Sequence, residues 1–250
     1  MKVRETPTER SISWRFFVPR SLEVKKTVLW RQFLRYHHRG VLLVRSSVRR
    51  YADGLSRRLS ELSNPHFFDI DHETELLYDE VGKSLLEILM ELPSFFGVEV
   101  DETLYVPRVE GMLSMFRNRM RKVCETTLER LWKFWDDIVL EGGNPREVVR
   151  RVVGELRGYR GDRIAVTETT ASVNFGFHEV IFLEGFRYKQ WLSSRGRNVR
   201  PSHREADGQV VEIHDTFLVG DVRLRFPSDP SCPKLSEVIN CRCFILPYVP

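Results

Sequence analysis

An imidazole and two sulfurs, His203, Cys241 and Cys243, fall in the last quarter of a chain of 250 residues. Imidazole and thiolate are the ligands zinc prefers, and Cys232 or Asp207 offers a fourth. Cys241 and Cys243 form the one close cysteine pair, and Cys-x-Cys is a poorer tetrahedral chelate than Cys-x-x-Cys. The same residues have a plainer reading, in which His203 hydrogen-bonds within its turn and the cysteines pack as small hydrophobes. A structural zinc is thus one expectation and a metal-free polar lock the other.

A second set of residues has the parts for acid–base chemistry. Glu168, His203 and Arg242 supply a base, an acid and a cationic clamp of the kind that cleaves RNA through its 2′-hydroxyl. The structural alternative, which is preferred, has Thr167 and Glu168 fixing a helix against a hairpin, with Arg200 or Arg242 as ionic partner. A third set is basic. Arg45, Arg49, Arg50, Arg57 and Arg58 recur at spacings that stripe one helix, with Tyr51 among them. Such a stripe neutralises phosphates without reading sequence, and a solvated helix face gives the same pattern.

The charge distribution bears on that choice. Residues 1–60 carry 15 Lys/Arg against 4 Asp/Glu, and residues 61–150 carry 10 against 19. A basic first quarter attracts nucleic acid or an acidic protein surface, but it can equally pair with the acidic middle of the same chain.

The elements that position these residues follow from periodicity. Residues 1–20 read as an arm. Apolar residues at helical spacing predict a helix from Ser21 and, after an interruption at Gly40, a second one to about Leu62. A third is expected from about Asp71 to Pro93, and a long one from about Val109 to Leu140, whose Met112, Phe116 and Met120 stripe reads as core. Asn144-Pro145-Arg146-Glu147 has the cap, N1 proline and N3 glutamate of another helix start.

From about residue 163 the pattern becomes mixed. A helix to Glu184 is followed by strands over 187–193, 210–213 and 241–246 and by a hairpin at Gly220-Asp221. Ser202 and Glu205 have capping-box spacing, and Gly208 stands where a one-turn helix needs a left-handed exit, holding His203 and Asp207 on one side. The fold class is therefore α+β: an N-terminal helical region over 21–160, then a small domain over 161–250 with a mainly antiparallel sheet. No apolar run is long enough for a membrane span, and no secretory h-region is present near the start. Reduced thiols are expected, since Cys124 stands apart from the other three cysteines.

Several ordered motifs in this last third resemble a known family. They are Arg200-Pro201-Ser202-His203 with Asp207-Gly208-Gln209, then Arg225-x-Pro227-x-Asp229-Pro230, then Ile239-Asn240-Cys241-Arg242-Cys243. Together they look like the signature of phage head morphogenesis proteins, the Mu F-like minor head proteins. Arg163, Thr167, Glu168 and Thr169, with Asn174 beyond, resemble the same family's R-x-x-x-T-E-T helix. The resemblance covers about residues 163–247 and leaves the first 150 residues without a recognised motif.

The resemblance implies a phage or prophage minor head protein, joined to the portal and to major capsid or scaffold proteins. It implies residence in the virion after assembly in the host cytoplasm, and contact with packaged double-stranded DNA without sequence preference. Arg163, Thr167, Glu168, Arg200, Ser202, His203, Asp207, Gly208, Asn240 and Arg242 would then form a conformational lock. A ribonuclease or toxin-like enzyme on the same domain is the competing implication.

Overall fold

A computed structural model describes residues 22–60, 65 and 68–250, with side chains placed from residue 28 onward. The expected arm over 1–20 lies outside the described residues. Seven helices and five strands follow in the order α1 (Leu22–Ser60), α2 (Ile70–Phe95), α3 (Glu102–Val139), α4 (Pro145–Arg157), α5 (Tyr159–Leu183), β1 (Tyr188–Leu192), α6 (Pro201–Glu205), β2 (Val210–Glu212), β3 (Phe217–Val219), β4 (Val222–Leu224), α7 (Leu235–Val238) and β5 (Phe244–Tyr248). This is the α+β arrangement read from the sequence, helical first and mixed last.

Helix α5 is the centre of the molecule. Between Ile164 and Phe177 its sequence is apolar or small apart from Glu168 and Asn174, and a helix stretch with no broad polar face is buried. From Ile164 to Phe177 every residue is buried, including Thr167, Thr169, Thr170, Ser172 and Asn174. Helices α1 to α4 surround it, and β5 lies along it. The core is continuous across residue 160, joining Phe33 of α1 and Leu89 of α2 to Phe177 of α5 and Phe244 of β5. Phe244 lies between two of these helices, with ring centroids 4.2 Å from Phe33 and 4.8 Å from Phe177.

Gly40 does not interrupt a helix, as its composition suggested. It lies inside α1 because α1 and α5 approach closely there: a Cβ on Gly40 would meet Thr169 Cγ2 at 2.7 Å. Pro93 likewise lies within the last turns of α2, which runs on to Phe95. Helix α3 starts earlier than its apolar stripe indicated, at an Asp101 cap that accepts from Thr103 N. Asn144 caps α4 as expected, accepting from Arg146 N at 2.9 Å.

The sheet is a three-stranded antiparallel one in the order β2-β1-β5, with Trp191 opposite Ile245, and β3 and β4 pair separately as a hairpin. Both sulfurs of the Cys-x-Cys pair precede β5, so the strand expected from Cys241 begins three residues later, at Phe244. The 240–243 segment forms no ladder because the Asn240 amide and the Cys241 and Cys243 carbonyls bond to α5 instead. Among the described residues no helix is long and apolar enough to cross a membrane.

Charge complementarity assembles the first two helices. Arg39 of α1 reaches Glu91 of α2 at 2.8 Å, Arg50 reaches Glu80 at 2.9 Å, and Arg58 reaches Glu73 at 2.6 Å. Three arginines of the basic first quarter are thus paired with glutamates of the acidic middle.

Candidate functional site

Three side chains of α5 face the segment before β5 and read its backbone. Thr167, Thr170 and Asn174 stand at i, i+3 and i+7, which puts them on one face of a helix. Thr167 Oγ1 accepts from Asn240 N at 2.8 Å. Thr170 Oγ1 lies 2.8 Å from the Cys241 carbonyl. Asn174 donates to the Cys243 carbonyl at 3.0 Å and accepts from Ile245 N at 3.1 Å.

The match is one of rise: seven helical residues span about 10.5 Å and three extended residues about 10 Å. Asn240 adopts φ 58°, a left-handed conformation that asparagine tolerates better than most residues.

Arg200 and Asp207 hold neighbouring backbone, and other signature residues engage side chains. Arg200 donates to the Ile239 carbonyl at 2.6 Å, and Asp207 accepts from Ser193 N at 2.8 Å. Gly208 takes φ 86° at the exit of α6, as its position in the sequence required. Ser202 does not cap that helix: Arg200 is the N-cap residue, and the Ser202 hydroxyl bonds Glu237 Oε2 at 2.8 Å. The capping-box pattern fails because Pro201 already starts the helix and Ser202 lies inside it. Arg225 forks onto Asp229 with two 2.8 Å hydrogen bonds, and Asp229 also accepts from Ser231 N. That explains the R-x-P-x-D-P motif as a salt-bridged turn.

The clamp brings the imidazole and the two sulfurs together. His203, Cys241 and Cys243 are all buried, and their donor atoms lie within 4.8 Å of one another. His203 Nδ1 is 3.3 Å from Cys243 Sγ and 3.6 Å from Cys241 Sγ. The Cys243 amide points at Cys241 Sγ at 3.4 Å. Burial opposes ionisation of Cys241, but hydrogen bonds from Cys243 and His203 outweigh it and hold its thiol well below the usual range. The hydrogen bond to Cys241 and burial push the Cys243 thiol up.

Neither residue considered as a fourth ligand joins them. Asp207 is engaged with Ser193 and with Arg195 at 3.3 Å, and Cys232 Sγ faces the Lys234 carbonyl.

The acid–base set is divided between two cavities. His203 and Arg242 line one of about 230 Å³. Glu168 lines another of about 390 Å³, with Thr167, Arg119, Arg160 and Arg163. Glu168 pairs with Arg119 at 3.1 Å, and its burial, partly offset by that guanidinium, raises its pKa. The geometry therefore does not bring Glu168 to Arg242 and His203.

In the basic stripe, Arg45 is bound to Asp162 at 2.5 Å, Arg50 to Glu80 at 2.9 Å and Arg58 to Glu73 at 2.6 Å. Arg49 and Arg57 are exposed.

Sequence reasoning missed three participants. His37 of α1 lies 2.8 Å from Thr170 Oγ1, Arg119 of α3 holds Glu168, and Glu237 of α7 approaches His203. His37 and Arg119 lie outside the quoted motifs and Glu237 stands between two of them, so no spacing rule links any of the three to the site. Comparison of the chain with known protein families, with curated proteins and with solved structures returns no match. A functional reading therefore rests on the motifs and on this geometry.

Proposed function

We propose that the chain is a phage or prophage minor head protein, a binding component of head assembly seated at the portal vertex. One observation carries the reading beyond the motif resemblance. Three signature residues belong to an internal framework in which Thr167 holds the Asn240 amide, Arg200 the Ile239 carbonyl and Asp207 the Ser193 amide. A framework of that kind suits a rigid module that presents surfaces to partners. The acid–base alternative draws no such support, because Glu168 and Arg242 line separate cavities. In this reading the partners are the portal protein and major capsid or scaffold proteins. Packaged double-stranded DNA is contacted through the basic N-terminal quarter without sequence preference.

The test is co-expression of the full chain with the portal protein of the same phage or prophage, followed by sedimentation of the portal assemblies. The chain is expected to sediment with the portal. Separate sedimentation of the two at micromolar concentration would sink the proposal.

A further inference from the structure

The polar lock around His203 has the geometry of a metal centre. We infer that His203 Nδ1, Cys241 Sγ and Cys243 Sγ hold one Zn²⁺ ion, with solvent in the fourth position. Bond lengths of about 2.3 Å to sulfur and 2.0–2.1 Å to nitrogen set an N···S edge of about 3.5 Å in a tetrahedron. The two N···S separations here are 3.3 and 3.6 Å. Both edges that meet at the imidazole are therefore already at tetrahedral length, and all three ligand atoms lie within 4.8 Å of one another.

The ligands are also held in place by bonds that do not involve the metal. The carbonyls of Cys241 and Cys243 are fixed by Thr170 and Asn174 of α5. Arg200 ties the base of α6 to the Ile239 carbonyl, so the His203 helix and the cysteine segment are joined independently. Sulfur and imidazole are therefore placed by the fold, and an ion has no ordering of its own to impose.

The surroundings supply outer contacts of the kind that tune metal ligands. The far nitrogen of the imidazole, His203 Nε2, lies 3.3 Å from Glu237 Oε2 and makes no hydrogen bond. A metal on Nδ1 fixes the tautomer with its proton on Nε2, and Glu237, itself held by Ser202, is the acceptor within reach. The Cys243 amide directed at Cys241 Sγ supports negative charge on that sulfur. Zinc is favoured over harder ions because two of three donors are sulfur.

The fourth position opens into the cavity of about 230 Å³, which admits an ion from solvent. Its other lining side chains include Arg197, Arg200 and Arg242 and no carboxylate, thiol or second imidazole. A fourth protein ligand is therefore absent among the described residues, and water completes the shell. Two thiolates balance the charge of Zn²⁺, so the ion adds no net charge beside these arginines.

The inference stands apart from the head-protein reading, since metal content is measured without any partner. The full chain, purified without added metal or chelator, is reduced, analysed for metal and then equilibrated with Co²⁺. About one equivalent of zinc is expected, together with a near-ultraviolet thiolate-to-cobalt charge-transfer band after exchange. Cys243→Ser, which removes one of the two thiolates, should weaken that band, and the triple variant named below should lack it. Glu237→Gln, which leaves all three ligands intact, should weaken zinc about 10–100-fold. A parent protein that yields no charge-transfer band overturns the site, and so does zinc retained at one equivalent in a His203→Ala, Cys241→Ser, Cys243→Ser triple variant. Because the cobalt reading is made on the parent protein, misfolding of a variant leaves the decision intact.

Discussion

The Thr170 hydroxyl stands 2.8 Å from the Cys241 carbonyl and joins a buried helix to the segment that carries both sulfurs. The same oxygen lies 2.8 Å from His37 Nε2 and 2.8 Å from the Val166 carbonyl. A hydroxyl has one proton, so donating it to a carbonyl requires His37 Nε2 to carry the hydrogen between them. Three segments far apart in sequence, α1, α5 and the 240–243 segment, therefore meet at one side chain.

Thr170→Val keeps the shape and removes the hydroxyl. It leaves a buried carbonyl and a buried imidazole N–H without a partner, each costing about 1–3 kcal/mol. The urea midpoint should fall clearly, while Thr170→Ser, which keeps the oxygen, should stay close to the parent. Equal midpoints for Val and Ser would mean that packing alone holds the segment.

How much of this was legible differs by element. Asn144-Pro145 and the Gly220-Asp221 hairpin were readable because their signals are local. The pairing of Thr167 with Asn240 was foreshadowed only as two motifs, since nothing in a chain states which face of a helix meets which loop. Gly40 was misread for a related reason. A glycine inside a helix signals a break or a close approach with the same letter, and the neighbour that decides, Thr169, lies far along the chain. The strand start at Cys241 was misplaced because alternation is also the pattern of an extended segment bonded to a helix.

The Gly40 reading has a test with an internal control. Gly40→Ala puts a Cβ 2.7 Å from Thr169 Cγ2 and 3.1 Å from Ile88 Cδ1, in a fully packed site. Overpacking should cost about 1–3 kcal/mol and exceed the gain in helix propensity. Gly111→Ala on α3 meets nothing within 4 Å, so only the propensity gain of up to about 1 kcal/mol remains. Opposite signs in chemical denaturation are expected. A stabilising Gly40→Ala would show that α1 and α5 are not in close contact.

Stability should fall on mild acidification because of His37. Burial lowers its pKa from 6.5 to about 4, and the charges of Arg242 and of His38 beside it act in the same direction. The unfolded chain takes up this proton near pH 6.5, whereas the folded chain resists until about pH 4. The contribution is thus complete above pH 6.5 and is lost as pH falls toward 4, on the order of 3 kcal/mol in all. Glu168, whose raised pKa works in the opposite direction, offsets part of it. Melting temperature against pH should slope less steeply in His37→Gln than in the parent between pH 6.5 and 4. Parallel curves would remove His37 as the cause.

The basic stripe separates residues that hold the fold from residues free to meet phosphate. Helix α1 cannot simply be removed, since Phe33, Val44, Val48 and Leu55 are core residues and their loss would unfold the chain. Arg58→Ala would strand Glu73, whose side chain is only 7% exposed, and its effect should appear as lost stability, about 1–3 kcal/mol. Arg49 and Arg57 are exposed, and replacing both with alanine should leave folding unchanged. If each contacts a phosphate of duplex DNA, the slope of log affinity against log salt should flatten by about 1.8, because two fewer counterions are released. An unaltered slope in the double variant, with unaltered affinity, would assign the face to solvent or to a protein partner. A flatter slope with equal loss on unrelated DNA sequences would fit sequence-independent contact, because phosphate neutralisation positions a duplex without reading its bases.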